Sequence, residues 1–317
     1  MRLGSFLKLV EIQTKVASVI PFFLGTLYAI YRFGSFQPKN FALMFLSLVC
    51  IDMATTAINN YQDYKNASKR HGFGYESHNA IVRDQLSERS VKTAIGVLIL
   101  CAVVFGFILF ISTDFIVLAL GMLSFLLAVL YSCGPMPISR TPFGELFSGG
   151  FMGFIIPFLA VYINLQEGLL ITMTVTSSFI HLDINWIELA YIGLLTLPAV
   201  AGIANIMMAN NICDMADDLE NKRYTMPIVA SKKTALLLYK ALYYAGFAAL
   251  AALLALKVLP LISLLVFIVL IPVQKNIKTF EHKQEKAETF ITSVQNFVLI
   301  NTGLVLILGL SIVIQKY

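Results

Sequence analysis

Nine long apolar stretches run through this chain, and each is close to the length that a helix needs to cross a lipid bilayer. A membrane-spanning helix takes roughly 20 apolar residues. Of the 317 residues, 58% are hydrophobic and only 13% are charged, whereas about 25% of a soluble domain is charged. We therefore expect an all-α membrane protein that forms a single domain over residues 1–317. The predicted spans are about residues 15–31, 41–59, 93–112, 115–132, 146–164, 187–209, 235–256, 258–273 and 291–313.

The lysine and arginine residues indicate how the chain is oriented. If the N-terminus lies in the cytoplasm, most of the 23 basic residues fall in cytoplasmic segments. Basic residues favour the cytoplasmic side of a membrane, so we expect this orientation, with the C-terminus outside, in the plasma membrane. The net charge of +5 is consistent with this bias, and we expect no nucleic-acid partner. The exceptions are Arg32, Lys39, Lys257 and Lys316, which fall outside, and Lys240, which lies within the seventh stretch.

A short polar phrase occurs twice in the chain. Residues 59–63 read Asn-Asn-Tyr-Gln-Asp and residues 210–214 read Asn-Asn-Ile-Cys-Asp, and each copy stands where an apolar stretch ends. Four predicted spans separate the copies, so both should emerge on the cytoplasmic side. An inverted repeat, as in many transporters, would place its two copies in opposite orientations. The pattern instead predicts two parallel four-helix repeats followed by a ninth helix, which would bring the two polar clusters face to face.

The carboxylates and amides of these clusters are spaced for one face of a helix. Asp214 and Asp218 are four residues apart, as are Asn59 and Asp63, and residues at this spacing are neighbours on a helix. Like charges at this spacing repel each other unless a cation lies between them. Mg²⁺ binds one or two carboxylates together with substrate phosphates. Basic residues that suit a phosphate follow both clusters: Lys65, Lys69, Arg70, Lys222 and Arg223.

The clusters therefore predict a site for Mg²⁺ and a diphosphate, with acids for the metal and basic residues for the phosphate oxygens. The alternative is two hydrated helix ends followed by orientation charges, which does not account for the repeated pattern. The second copy is richer in acids than the first, so we expect it to hold metal more firmly.

Asp52 lies in the middle of the second apolar stretch, seven residues before Asn59 and on the same helix face. An ionisable residue inside a membrane is a functional candidate, and we treat Asp52 as a candidate substrate-binding residue. Hydrogen bonding to Thr55, Thr56 or a neighbouring helix is the alternative.

The loop between the fourth and fifth stretches begins near Tyr131 and contains one basic residue, Arg140. Arg140 is a candidate for binding a substrate carboxylate or the diphosphate, and an orientation charge is the alternative. Glu145 either pairs with Arg140 or caps a helix.

Two further loops have predicted roles. The long polar loop at about 65–89 is expected to cover the site as a lid, with His71 or His78 as the candidate contacts. Residues 165–186 are semi-apolar and are expected to lie at the membrane interface, ending at Trp186, the only tryptophan.

The two polar clusters and the loop between the fourth and fifth stretches resemble those of a known family. The patterns Asn59-Asn60-x-x-Asp63 and Asn211-x-x-Asp214-x-x-x-Asp218, on the second and sixth of nine helices, resemble the two aspartate-rich motifs of the UbiA superfamily of intramembrane aromatic prenyltransferases. Residues 131–145 (Tyr…Gly-Pro-x-Pro…Thr-Pro-x-Gly-Glu) are similar to a loop of the 1,4-dihydroxy-2-naphthoate prenyltransferases of menaquinone synthesis, and residues 11–15 look like the opening of that subgroup. Asn60 and Ala67 depart from the superfamily pattern, which has acids at these positions.

The resemblance implies Mg²⁺-dependent transfer of a polyprenyl group from an allylic diphosphate to an aromatic acid in the membrane. The acceptor we expect is 1,4-dihydroxy-2-naphthoate, with loss of CO₂. The alternatives are another acceptor such as 4-hydroxybenzoate, a catalytically inactive family member, and an ion or lipid transporter. The implied metal ligands and catalytic residues are Asp63, Asn59, Asn60, Asp214, Asp218 and Asn211. The implied substrate contacts are Lys65, Arg70, Lys222, Arg223, Tyr131, Arg140, Asn210 and Asp52.

Overall fold

The structure, a computed structural model, describes residues 1–66, 79–132, 137–166 and 168–315. The chain divides into two compact units, Met1–Val19 with Ala42–Ser132, and Ile20–Phe41 with Cys133–Tyr317. Residues 67–78, about half of the predicted lid, lie outside the described residues, and so do the candidate contacts Arg70, His71 and His78.

Helices make up nearly all of the described secondary structure. The α-helices are α1 Leu3–Leu9, α2 Val16–Phe33, α3 Pro38–Asn66, α4 Ala80–Arg83, α5 Glu88–Ile111, α6 Phe115–Ser132, α7 Gly144–Gly150, α8 Ile156–Tyr162, α9 Trp186–Cys213, α10 Met215–Glu220, α11 Met226–Ala230, α12 Lys232–Ala255, α13 Leu270–His282 and α14 Ile291–Gln315. Short 3-10 segments cover Ile12–Lys15, Ile138–Arg140 and Leu261–Val269, and a π-helical turn covers Phe151–Ile155. Two strands, β1 Ile171–Val175 and β2 Ile180–Ile184, form an antiparallel hairpin.

The predicted membrane fold is confirmed in the described part of the chain. All nine predicted stretches are helical, and eight of the helices are long and apolar enough to cross a bilayer. The remaining one, Phe115–Tyr131, is a shorter apolar helix. The predicted interfacial segment at 165–186 contains the hairpin, an element that hydropathy alone does not predict.

Three helices continue well past the ends of their apolar stretches. Helix α3 runs to Asn66 instead of 59, α9 runs to Cys213 instead of 209, and the helix predicted to end at 273 ends at His282. Hydropathy reports only the part of a helix that crosses the hydrocarbon, and a helix can continue beyond it with polar residues. As a result the first polar phrase lies inside α3 and not after it.

The fifth spanning helix is interrupted by a π-helical turn between α7 and α8. Pro157 follows this turn, and a proline inside a helix lacks an N–H and clashes with the carbonyl four residues earlier. That carbonyl belongs to Gly153, within the turn. The proline and the wider turn therefore coincide, and both are recognised causes of irregularity inside a helix.

In the second unit, helix α9 is packed closely by its neighbours through small residues. A Cβ atom added at Gly149 of α7 would lie 2.7 Å from the Val200 backbone oxygen, and one added at Gly153 would overlap the Val200 backbone. On α9 itself, a Cβ at Gly202 would lie 2.8 Å from the ring of Phe297 in α14. Small residues let membrane helices approach this closely, so α9 is held on more than one side.

Candidate active site

In the first unit, α3 presents the first polar phrase on its last two turns. Asn59 and Asp63 are both exposed and lie one helical turn apart, as their spacing predicted. Lys65, on the same helix, reaches Glu88 with 2.7 Å between Nζ and Oε1; Lys65 is exposed and Glu88 is half-buried. Helix α3 therefore offers one carboxylate and one amide at its exposed end.

Asn60 has a different environment from Asn59 and Asp63. Its side-chain nitrogen donates to the Leu9 backbone oxygen at 2.9 Å and to Glu11 Oε1 at 3.2 Å. Asn79 in turn donates to the Asn60 backbone oxygen at 2.9 Å. An aspartate here would have no N–H to donate and would place a second negative charge beside Glu11. This bonding accounts for the departure from the family pattern at position 60.

Asp52 is engaged with the preceding helix within the same unit. Its Oδ1 lies 2.6 Å from Nζ of Lys15, and its Oδ2 accepts a hydrogen bond from Ser18 at 2.5 Å. Lys15 is buried and also donates to Thr56 at 2.7 Å. A buried charge needs a partner of opposite charge, and Lys15 and Asp52 are each other's partner. The structure thus favours hydrogen bonding for Asp52, the alternative to substrate binding, although the carboxylate's partners are Lys15 and Ser18, not Thr55 or Thr56.

In the second unit, the second motif lies where α9 passes into α10. Asp214 separates the two helices, and Asp218 N donates to the Asp214 backbone oxygen at 2.8 Å, which preserves the helical step between the two acids. Asp218 is only 3% exposed and Asn211 is also buried, whereas Asp217 is exposed. Of the three acids, the two that match the family motif are therefore those with the less exposed side chains.

Each of the two acids has a basic partner. Nζ of Lys286 bonds to Oδ2 of Asp214 and donates to Oδ1 of Asn210 at 2.5 Å. Asp218 Oδ1 lies 3.4 Å from Nη1 of Arg223. The negative charge of each carboxylate is therefore balanced by a basic side chain, which reduces the repulsion between the two acids.

The segment after α10 folds back onto Asp218. Thr225 Oγ1 donates to Asp218 Oδ2 at 3.3 Å, and Arg223 N donates to the Asp218 backbone oxygen at 2.8 Å. Lys222 has a φ of 54°, the left-handed conformation that allows this reversal, and its side chain is exposed.

Burial raises the pKa of the Asp218 carboxyl above its usual range, and the nearby negative charge of Asp214 acts in the same direction. The Arg223 guanidinium opposes this rise in pKa. A cation bound beside Asp218 would stabilise its charged form, since opposite charges favour ionisation.

The loop that carries the finer family resemblance is bonded directly to the second motif. The side-chain nitrogen of Asn211 donates to Oε1 of Glu145 at 2.8 Å, and both residues are buried. Tyr224 N donates to the Arg140 backbone oxygen at 3.1 Å. Glu145 therefore does not pair with Arg140: it lies in the first turn of α7, and its carboxylate is turned towards Asn211.

Two buried polar atoms near this motif have no hydrogen-bond partner among the described residues. They are Oε2 of Glu145 and Nε of Arg223. The side chain of Arg140 is exposed, and Tyr131 is half-buried near the end of α6. Buried polar atoms without a partner in the protein are often satisfied by an ordered water or a bound ion.

The side-chain oxygens of the second motif suit a hard divalent cation. No group of three or more His, Cys, Asp or Glu side chains is assembled as a metal site in 1–66, 79–132, 137–166 and 168–315. However, Asn210 and Asp214 already direct two oxygens at one ammonium group, that of Lys286. Carboxylate and amide oxygens are the ligands that Mg²⁺ accepts, so the second motif fits this ion.

Sequence pattern alone does not single out three of the residues that contact the candidate residues in the structure. Lys286 is one of the basic residues that the orientation rule already explains, Thr225 matches no motif, and Lys15 belongs to the opening segment 11–15. The signal for a buried basic residue at Lys15 is that it is the only charged residue of the first predicted span, 15–31.

Comparison with known proteins decides the family. Residues 18–300 match the model of the UbiA prenyltransferase family. The chain belongs to this family. The UbiA assignment confirms the enzyme prediction, a prenyltransferase, over the transporter alternative. The 1,4-dihydroxy-2-naphthoate octaprenyltransferase of Bacillus subtilis (strain 168) is 26% identical over 238 residues, which cover 74% of this chain and 68% of that protein.

Several solved structures share the fold of this chain. A UbiA homologue from Aeropyrum pernix K1 has a TM-score of 0.63 at 18% identity and covers 96% of this chain and 99% of its own. A UbiA homologue from Archaeoglobus fulgidus, solved with GPP and Mg²⁺, has a TM-score of 0.58 at 14% identity, covering 98% and 97%. A digeranylgeranylglyceryl phosphate synthase has a TM-score of 0.64 at 12% identity, covering 96% and 98%.

Proposed function

We propose that this protein transfers a polyprenyl group from an allylic diphosphate to an aromatic acid in a Mg²⁺-dependent reaction, with 1,4-dihydroxy-2-naphthoate as the acceptor. The aromatic carboxylate leaves as CO₂, the new carbon–carbon bond takes its place, and diphosphate is released. The proposal is supported by the UbiA membership and by the naphthoate prenyltransferase that matches 74% of the chain. The UbiA homologue solved with GPP and Mg²⁺ supports the donor and the metal.

The observation that carries the proposal is the convergence of Asn210 and Asp214 oxygens on one cationic group. Asp214 and Asp218 would hold Mg²⁺, with Asn210 and Asn211 beside them. When bound, the metal neutralises charge that develops on the departing diphosphate. Arg223 would donate to diphosphate oxygens through its unpaired Nε, and an arginine makes strong charge-assisted bonds to phosphate.

Residues of the first motif are proposed for the same reaction on chemical grounds. Asn59 and Asp63 offer oxygen ligands from an exposed helix end, and Lys222 offers an exposed ammonium for phosphate. Arg140 is proposed to bind the acceptor's carboxylate, supported by its exposed side chain and by the bond from Tyr224 to its backbone.

We also propose the plasma membrane as the location, with the N-terminus and the active site in the cytoplasm and the C-terminus outside. The distribution of basic residues supports this orientation. A water-soluble acceptor and Mg²⁺ would then reach the motifs from the cytoplasm, while the prenyl chain stays in the lipid.

The experiment uses the purified full-length protein in lipid nanodiscs with prenyl diphosphates of several lengths. The acceptor is dihydroxynaphthoate labelled in its carboxyl carbon, with 4-hydroxybenzoate as a parallel acceptor. We expect Mg²⁺-dependent release of diphosphate together with labelled CO₂ and a prenylated product. Product from 4-hydroxybenzoate alone, with its carboxyl retained, would overturn the naphthoate assignment. Diphosphate release no greater than that of Asp214→Ala would overturn the proposed function.

A further inference from the structure

Lys286 contacts the second motif although it lies 72 residues away in sequence. It stands in the turn between α13 and α14, and its side chain is 50% exposed. Its ammonium bonds to Asn210 and Asp214, and it lies 5.8 Å from the centre of the Phe290 ring. No aspartate-rich motif includes this lysine.

The oxygens that hold Lys286 are the same ones that a divalent cation would take. A metal and an ammonium cannot share them, because like charges at contact distance repel strongly. We propose that Lys286 occupies the cation position of the second motif until metal binds, and that its displaced ammonium then binds the diphosphate. This inference rests on the proposed function and adds a diphosphate-binding residue to it.

The two roles give opposite effects for one substitution. Removal of the ammonium takes away a competitor for Asp214, so metal should bind more tightly when no diphosphate is present. The same removal takes away a phosphate contact, so the donor should bind more weakly when metal is present. A residue that only braces the fold would weaken both.

The test compares Lys286→Ala with Lys283→Ala, a control from the same turn whose lysine pairs with Glu285 and Glu288 and not with the motif. Mn²⁺ binding without substrate is read by electron paramagnetic resonance, and donor binding is read with a prenyl thiodiphosphate analogue. We expect Lys286→Ala to bind Mn²⁺ roughly two- to fivefold more tightly, the range of an exposed ion pair, and the analogue more weakly. Lys286→Arg should fall between it and the wild type.

The outcomes separate this inference from the proposed function. Mn²⁺ affinity that is unchanged or weaker in Lys286→Ala, in a wild type that binds Mn²⁺ and turns over, overturns only the role of Lys286. A wild type that binds neither Mn²⁺ nor the analogue overturns the proposed function together with it.

A second inference rests on the β-hairpin between α8 and α9. Ile171 stands opposite Ile184, and Met173 stands opposite Leu182. Alternate residues of a strand face opposite sides, so these four and Ile180 share one face. The other face carries only polar residues: Thr172, Thr174, His181 and Asp183.

The apolar face is substantially open, with Ile180 67% and Leu182 55% exposed. An isolated two-stranded hairpin is marginally stable in water. The segment is flanked by two membrane-spanning helices, which end at Tyr162 and begin at Trp186. We infer that the hairpin lies in the interface of the bilayer, with its apolar face towards the acyl chains and its polar face towards the headgroups, as amphipathic interfacial elements do.

The single tryptophan makes this placement measurable. In a Trp186→Phe background, Leu182→Trp reports on the apolar face and His181→Trp reports on the adjacent polar face. With purified protein in nanodiscs, we expect brominated lipid to quench the tryptophan at 182 several-fold more than the one at 181, and acrylamide to show the reverse order. Equal quenching at both positions, or a tryptophan at 182 that is shielded from both quenchers by a second copy, would overturn the inference.

Discussion

The side chain of Asn211 donates a buried hydrogen bond to Glu145 across 2.8 Å. Asn211 belongs to the second aspartate-rich motif, and Glu145 ends the loop that carries the finer resemblance. The first unit has a parallel relationship, in which Asn60 of the first motif bonds to Glu11 of the opening segment. In each unit, a segment that is distant in sequence therefore supports the motif.

The first prediction concerns this support at Glu145. Glu145→Gln keeps an acceptor for the Asn211 amide, whereas Glu145→Leu leaves that amide buried and unpaired. An unpaired buried donor costs about 1–3 kcal/mol. We expect Glu145→Leu to lower the melting temperature of the purified protein and Glu145→Gln to leave it near the wild type. Equal losses in both variants would show that the bond contributes nothing to stability.

The second prediction concerns the ion pair of Lys15 and Asp52. Removal of one partner leaves a buried uncompensated charge, which costs roughly 3–5 kcal/mol. We expect Lys15→Met and Asp52→Leu each to destabilise the protein strongly, and the double variant to be more stable than the sum of the single losses implies. The measurement is a double-mutant cycle of unfolding free energies. Strictly additive losses would mean that the two residues do not interact.

The third prediction concerns Asn60. Asn60→Asp restores the acid of the family pattern but removes the N–H donated to Leu9 and adds a charge beside Glu11. We expect a loss of about 1–3 kcal/mol in unfolding free energy, the range for a lost buried hydrogen bond. Adding Glu11→Gln should recover part of this loss, because the repulsion is gone. A double variant no more stable than Asn60→Asp would exclude Glu11 as the cause.

The fourth prediction concerns the close approach of α9 and its neighbour. Gly153→Ala places a methyl group against the Val200 backbone, whereas Gly150→Ala meets open space. Overpacking costs typically about 1–3 kcal/mol, and alanine in an open helical position gains up to about 1 kcal/mol over glycine. Thermal melts of the two variants should therefore move in opposite directions, and a parallel shift would contradict the packing described.

The apolar stretches were sufficient to predict the nine apolar helices found in the described residues, because a bilayer requires a minimum length of apolar chain. They could not predict that α3 continues to Asn66, because outside the membrane a helix can be built from polar residues, and hydropathy then does not mark its end. The hairpin left a visible signal in the alternation of Ile171, Thr172, Met173 and Thr174, which a hydropathy window averages away.

The motifs were recognised from spacing, but their partners were not. Glu145 and Asn211 are 66 residues apart, and no periodicity connects them. Lys286 carried a basic charge that the orientation rule already explained, so nothing distinguished it from its neighbours. Such pairings depend on which helices pack against each other, and the spacing of residues within one helix does not predict that.

The glycine contacts around α9 also bear on how this protein responds to the thickness of its membrane. A bilayer that thins or thickens is accommodated in part by tilting of individual helices. Helix α9 meets its neighbours at Gly149, Gly153 and Gly202 with little space between them, so it cannot tilt without carrying them along. Asp214 and Glu145 would then rise or sink in step, and the second motif would hold its shape in membranes of different lipid composition.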